Sequence, residues 1–431
     1  MKAALFALIC PLYIFAQTAV DTGYYSDQYL RYDNHIYKKN IRTPLLHPKT
    51  FQLSFPIIAL NSGEQFLLSF DDLSPAINNY TYTIVHCTPD WQPTNNMFTS
   101  DYLKGYSEEN ISGYEYSFNT FQKYIHYSVA FPHENFQITK SGNYLVKVYQ
   151  DYNTDNVVLT MRFMVLDDQL EVQANLRASS IPSEQYYKHE LDFNILTAGQ
   201  INITDPFTEF KVVLLQNYNW SQAVSGLKPR FISNDALNYN YDGENNFPAG
   251  NEWRYFDTRS LRFQSERVLT YEFTDHIYHT LLKADDKRNF KQYRFYGDLN
   301  GERSIEVQEG NRAEIEADYT YVHFKLNADK ALSDGNVYVF GQLSNWEFLP
   351  EAKMKYNEEN KSYETTLMLK QGYYNYKYVV HRDKETKPDE AYYEGNFYQT
   401  ENVYQVLVYF KSVVGDYYQL LGTSLIKSAL R

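Results

Sequence analysis

Cysteine is almost absent from this chain: Cys10 and Cys87 are the only two in 431 residues. Two thiols cannot supply a disulfide framework or a cysteine metal cluster, so the fold has to be held by its cores. Glycine and proline are modest, at 18 and 14, which excludes collagen-like and low-complexity architectures. Positive charge is in deficit. Lysine and arginine number 40 against 53 aspartates and glutamates, a formal net charge of -13, and so acidic a chain is a poor match for nucleic acid or anionic lipid. Spacing-dependent catalytic signatures are missing as well: no Gly-x-Ser-x-Gly elbow, phosphate-cradling glycine loop or His-Glu-x-x-His run occurs. His276 and His279 lie three apart, a spacing that shares a face only on a helix, and their surroundings read as a loop. Asp298, Asn300 and Gly301 lack the terminal glutamate arrangement of a calcium loop and read as a turn. No catalytic residue, metal ligand or cofactor site is assigned.

Aromatic side chains are abundant instead. The chain has 43 tyrosines and 27 phenylalanines, a composition suited to pleated, half-buried surfaces rather than helical bundles. Its length predicts two to three domains at about 150 residues each. At the N-terminus, Lys2 precedes the apolar run 3–15, and Ala16 offers a small residue for cleavage. This pattern predicts a secretory signal peptide over 1–16, too short to span a membrane. Bulky Ile9 argues against lipid attachment at Cys10. The exported chain then keeps Cys87 alone, which reads as a small core residue.

From Ile41 onward, short apolar or alternating runs are separated by turns. Tyr80–Cys87 alternates, and Gly142–Gln150 followed by Val157–Leu166 has the form of closing strands in an immunoglobulin-like sandwich. The predicted architecture is all-β, with tandem immunoglobulin-like or early-set β-sandwich domains. The expected divisions are a lead-in segment 17–40, an N-terminal sandwich 41–167, a middle sandwich 168–311, a C-terminal early-set-like sandwich 312–411 and a tail 412–431. Strands are expected at 51–60, 188–196, 208–216, 267–273 and 294–296, with 275–291 a long loop.

Residues 245–268 concentrate tryptophan and arginine after a Pro-Ala-Gly turn at 248–250. Strand alternation places Trp253 and Tyr255 on one face and Arg254 and Phe256 on the other. Because Trp, Tyr and Arg carry interface energy disproportionately, Trp253, Arg254, Tyr255, Arg259 and Arg262 are candidate partner-contact residues. One face must pack inward, so the same stretch also reads as a fold signature. Arg259 and Arg262, in the polar turn that follows, are the better surface candidates.

Two resemblances add to this reading. The segment NVYVFGQLSNWEFLPEAKM, followed by GYYNYKYVV over 372–380, resembles early-set sandwiches that include glycogen-binding modules. That resemblance implies the fold and makes Trp346 a candidate glycan platform, although His381, Arg382 and Asp383 stand where a second tryptophan is usual. More broadly, IRTPLLHP, LNSGEQFLLSFDDL, YTYTIVHCTPDWQP, TKSGNYLVKVYQD, FPAGNEWRYFDTRSLRFQSERV and YYEGNFYQTENVYQVLVYFK resemble, in order, the Plug proteins of the type IX secretion system of Bacteroidota. The resemblance implies a non-enzymatic protein of the periplasm, at the inner face of the outer membrane. It would cover the opening of the translocon barrel and touch the membrane only through that partner. An envelope carbohydrate-binding β-sandwich protein is the alternative. An outer-membrane barrel fits poorly, because the alternating runs carry charge on both phases and the chain ends without a terminal aromatic strand.

Overall fold

The fold comes from a computed structural model that describes residues 29–428 apart from 198–200, 384, 386, 413 and 414. The expected signal peptide 1–16, Cys10 and most of the lead-in segment lie outside the described residues. Strands account for 46% of the structure and helices for 6%, so the all-β, tandem-sandwich expectation holds.

The first sandwich faces two antiparallel-rich sheets across an aromatic core. One sheet centres on Gly142–Gln150, flanked by Tyr80–Cys87 and Val157–Leu166. The other pairs Ile41–Pro48, Phe66–Asp72, Ile125–Phe131 and Gly113–Tyr116 in that order. Period-two alternation turns Phe66, Phe70, Tyr80, Tyr82, Tyr144 and Phe163 inward. Of the run 51–60, only Ile57–Ala59 forms a strand, pairing parallel to Val157–Leu166. Pro56 just before it has no N–H to give a ladder. The short helix Thr99–Tyr102 sits in the loop after Tyr80–Cys87.

The second sandwich is not contiguous in sequence. Glu171–Ala178 and Lys188–Leu196 lie in one sheet with Ala236–Asn238, Phe231–Ile232 and Asn246–Pro248. In the facing sheet, Phe210–Gln216 pairs along its length with Val403–Phe410, which pairs in turn with Gln419–Lys427. All eight residues of Val403–Phe410 are buried, which requires a central strand covered on both faces. The third sandwich is inserted between these two parts. One of its sheets centres on Gly372–Arg382, paired with Arg254–Asp257, Arg303–Ile305 and Gly335–Phe340. The other runs Val268–Thr274, Ile277–Leu282, Tyr319–Asn327, Ser362–Lys370 and Lys355–Asn357.

Three expectations are corrected. The sheets group 171–248 with 403–427 and set 254–382 apart, rather than dividing at 311 and 411; the tail contributes a full strand. The presumed loop 275–291 contains Ile277–Leu282, joined to its neighbour by Asp275 and His276 with φ of 53 and 63, the geometry of a two-residue hairpin turn. Residues 294–296 form no strand.

Buried seams join the sandwiches. Between the first and second, Leu145 and Met164 meet Val213, Leu215, Leu407 and Tyr409 in a shared cluster that includes Cys87. Trp91 and Trp220 meet edge to face at 4.9 Å, and the Arg162 guanidinium lies 4.5 Å over Trp91. Tyr409 donates to Asn143 Oδ1 at 2.7 Å. Burial pushes the Cys87 thiol up to about 12, so it is an inert packing residue. Between the first and third, Lys370 Nζ donates to Asp71 Oδ2 at 2.6 Å, as does the Tyr319 hydroxyl at 2.6 Å. His126 Nδ1 is 2.7 Å from the other Asp71 oxygen.

Candidate functional site

Residues 245–268 cross from the second sandwich into the third. Gly250, at φ 70, makes the left-handed turn that a side chain would strain, and its N–H donates to Asn396 Oδ1 at 2.7 Å. Beyond it the chain is buried: Glu252, Trp253 and Arg254 are 1%, 2% and 6% exposed. Arg254 lies on the inward phase with Phe256, which stacks on Tyr374 at 4.9 Å. An unpaired guanidinium could not stay there. Its Nε donates to both oxygens of Glu394 at 2.9 and 3.1 Å, and its Nη1 to Asp285 at 2.7 Å. Arg288 also reaches Glu394, at 2.8 Å, and Arg267 reaches Asp285. Tyr376 and Tyr378 donate to the second Asp285 oxygen at 2.6 and 2.9 Å. Burial pushes the Glu394 carboxyl upward, but Arg254 and Arg288 outweigh it and hold the pKa at about 2.

The five candidate contact residues therefore separate. Trp253 and Arg254 are interior and cannot dock a partner. Tyr255 is half-buried, stacked on Tyr373 at 5.6 Å and bonded to Glu266 at 2.8 Å. Arg259 is partly exposed and committed to Asp257 at 2.8 Å and Glu306 at 3.1 Å. Arg262 is exposed and forms no ion pair among the described residues; Phe263 beside it is 73% exposed.

Trp346 meets Trp253 edge to face at 5.3 Å and Phe340 at 5.9 Å. Gly301, at φ 89, lies under both indoles, so closely that a Cβ there would stand 2.7 Å from Trp253 Cζ2. Lys377, 2% exposed, places its ammonium 4.1 Å over the Trp253 ring. Trp253, Trp346 and Lys377 line a cavity of about 170 Å³ whose opposite wall, including Asn217 and Asn219, belongs to the second sandwich. Trp346 is thus a partly buried wall of a cleft, packed on Trp253 and Phe340, and not a free-standing platform for a polysaccharide. Near it, burial raises Glu252 to about 7 and Asp298 to about 6, and raises Glu302 to about 8. Among the described residues, no group of three or more His, Cys, Asp or Glu side chains converges as a metal site.

Sequence reasoning missed Asp285, Glu394, Lys377 and Glu252. The alternation of Tyr374, Tyr376 and Tyr378 signals an inward aromatic row, but nothing local marks the acids that meet it.

The fold places the chain among multi-domain β-sandwich proteins. A family described as the type 9 secretion system plug protein 1st domain matches residues 41–167, nearly the extent of the first sandwich. A family described as the glycogen recognition site of AMP-activated protein kinase matches 333–409, from the third sandwich into the Val403–Phe410 strand of the second. Both are non-catalytic kinds of domain. No curated protein matches. Among solved structures, a hypothetical protein from Parabacteroides merdae matches with TM-score 0.89 and 30% identity, covering 93% of this chain and 100% of that one. Residues 41–167 thus belong to the type 9 secretion system plug protein 1st domain family.

Proposed function

We propose that the protein is a non-enzymatic periplasmic plug that covers the periplasmic opening of the outer-membrane type 9 translocon barrel and seals it when no substrate is engaged. The family match over residues 41–167 carries the reading. A cover must resist deformation, and Tyr32–Arg431 clusters as one compact unit whose sandwiches meet through buried seams. A cover must also leave. Reversible binding favours a moderate, polar interface with a few aromatic and arginine anchors. Arg262, with Phe263 beside it and partly exposed Arg259 nearby, offers such an anchor in a chain of net charge -13.

The test is deletion of the gene in cells that retain the translocon, read as uptake of compounds the outer membrane normally excludes, together with co-purification from solubilised outer membranes. Raised uptake and recovery of the complex are expected. Unchanged uptake with no co-purification overturns the proposal. The packing of Trp346 against Trp253 and Phe340 does not favour envelope-polysaccharide binding.

A further inference from the structure

The cleft between the second and third sandwiches has a lopsided hydrogen-bond inventory. Its lining includes the Asp389 and Glu390 carboxylates, but the lining side chains with unspent capacity are donors, three buried and one, Asn396, half-buried. The Trp253 indole N–H is buried without a partner. An ammonium has three donors, and the polar contact of Lys377 Nζ is Glu390 Oε2 at the long distance of 3.4 Å. That carboxylate also accepts from Gln222 at 2.5 Å. Asn219 and Asn396 spend their oxygens on Ser221 N at 2.9 Å and Gly250 N at 2.7 Å, which leaves their NH₂ ends to donate. A buried donor left unpaired costs about 1–3 kcal/mol, so this set favours a ligand that brings acceptors. The ring of Trp346 supplies an apolar wall.

We propose that this cavity binds a small organic carboxylate. The carboxylate accepts from Lys377 and the Trp253 indole N–H, and its hydrocarbon part lies against Trp346. At about 170 Å³ the site is close to a cavity of about 150 Å³ that holds benzene, so the ligand has about six to ten non-hydrogen atoms. Only the end of a polymer fits. Because the two walls come from different sandwiches, such a ligand bridges them. The carboxylate could belong to a free acid or to the carboxy terminus of a peptide, and the assay separates these sources.

Benzoate, benzamide, N-acetylalanine and N-acetylalanine amide are titrated by calorimetry into the full exported chain, with tryptophan emission as a second readout. At least one carboxylate should bind saturably and at least tenfold more tightly than its amide. Preference for benzoate indicates a free acid; preference for N-acetylalanine indicates a peptide terminus. Lys377→Met should abolish binding. Asn396→Asp, which keeps the acceptor for Gly250 and adds a negative charge, should weaken it at least tenfold without moving the thermal midpoint, so the test survives if Lys377→Met fails to fold. Equal binding of acids and amides, no saturable binding of either acid, or parent-like binding by Asn396→Asp overturns the proposal.

Discussion

Replacing Asp71 by asparagine tests whether the first and third sandwiches are truly joined. The Asp71 and Lys370 side chains are 1% and 2% exposed, so neither is solvated by water. With the carboxylate gone, the Lys370 ammonium keeps the Glu314 carbonyl at 2.8 Å and the face of Tyr124 at 4.2 Å, but no counter-charge at contact distance. Removing one partner of a buried pair costs about 3–5 kcal/mol, because it strands the other. Asp71→Asn should lose that much in urea unfolding at pH 7. Lys370→Met added to it should recover more than half, since the stranded charge is then removed. Acid supplies a second check. The Lys370 and His126 charges overcome burial and hold the Asp71 pKa below its ordinary value, so its contribution is present above the unfolded pKa near 4 and lost as pH falls through the folded one. The gap between parent and Asp71→Asn should therefore close toward pH 3. A loss under about 1 kcal/mol, or a double variant no better than the single one, would refute the account of the seam.

Other consequences are equally accessible. Glu302→Gln should leave stability at pH 4 unchanged and raise it with increasing pH: a carboxyl lifted from 4.5 to about 8 stabilises the fold below its unfolded pKa and loses that contribution as pH rises through the folded one. The shift sets an upper limit of about 3 kcal/mol at pH 7, measured by denaturant midpoint. Gly301→Ala should cost at least about 1–3 kcal/mol through overpacking, with added strain from the left-handed φ, and should change near-ultraviolet tryptophan dichroism. Arg262→Glu should weaken recovery of the translocon while leaving the thermal midpoint within about 1 °C, since surface substitutions of this kind stay within about 0.5 kcal/mol. Arg259→Glu is a poorer probe, because it places a third acid beside Asp257 and Glu306 and should itself destabilise.

The strands were the most legible part of the chain. Lys188–Leu196, Tyr80–Cys87 and Val157–Leu166 stand where their patterns predict, because burial on one or both faces writes itself into local sequence. Pairing across long separations leaves no such mark. Val403–Phe410 looks like any central strand, and its partner at Phe210–Gln216 lies almost two hundred residues earlier, so the nested second sandwich was hidden. Arg254 was a candidate contact residue by its residue type, on one of two strand faces either of which could pack inward. Its burial depends on Asp285 and Glu394, 31 and 140 residues away, and those acids have no local spacing to announce them.

The placement of these ions also bears on how the sandwiches stay aligned when the one cysteine among the described residues is buried and free. Apolar seams tolerate sliding, because dispersion and area burial depend weakly on register. Charged pairs do not: shifted by a few ångströms, Asp71 and Lys370, or Arg254 and Glu394, become stranded charges costing several kcal/mol each. Their net contribution to stability is small even when paired, so what they add is the penalty for misalignment. The Leu145, Met164 and Leu407 cluster holds the first and second sandwiches together. The Asp71 site at the seam between first and third, and the Arg254 network where the inserted third sandwich begins and ends, set the register in which they are held. Variants that replace both ions of a pair by apolar residues should then keep their denaturant midpoint yet lose the single spacing between sandwiches. Distance distributions between spin labels on the first and third sandwiches would show this as broadening, and an unchanged narrow distribution in Asp71→Leu with Lys370→Met would exclude the register role.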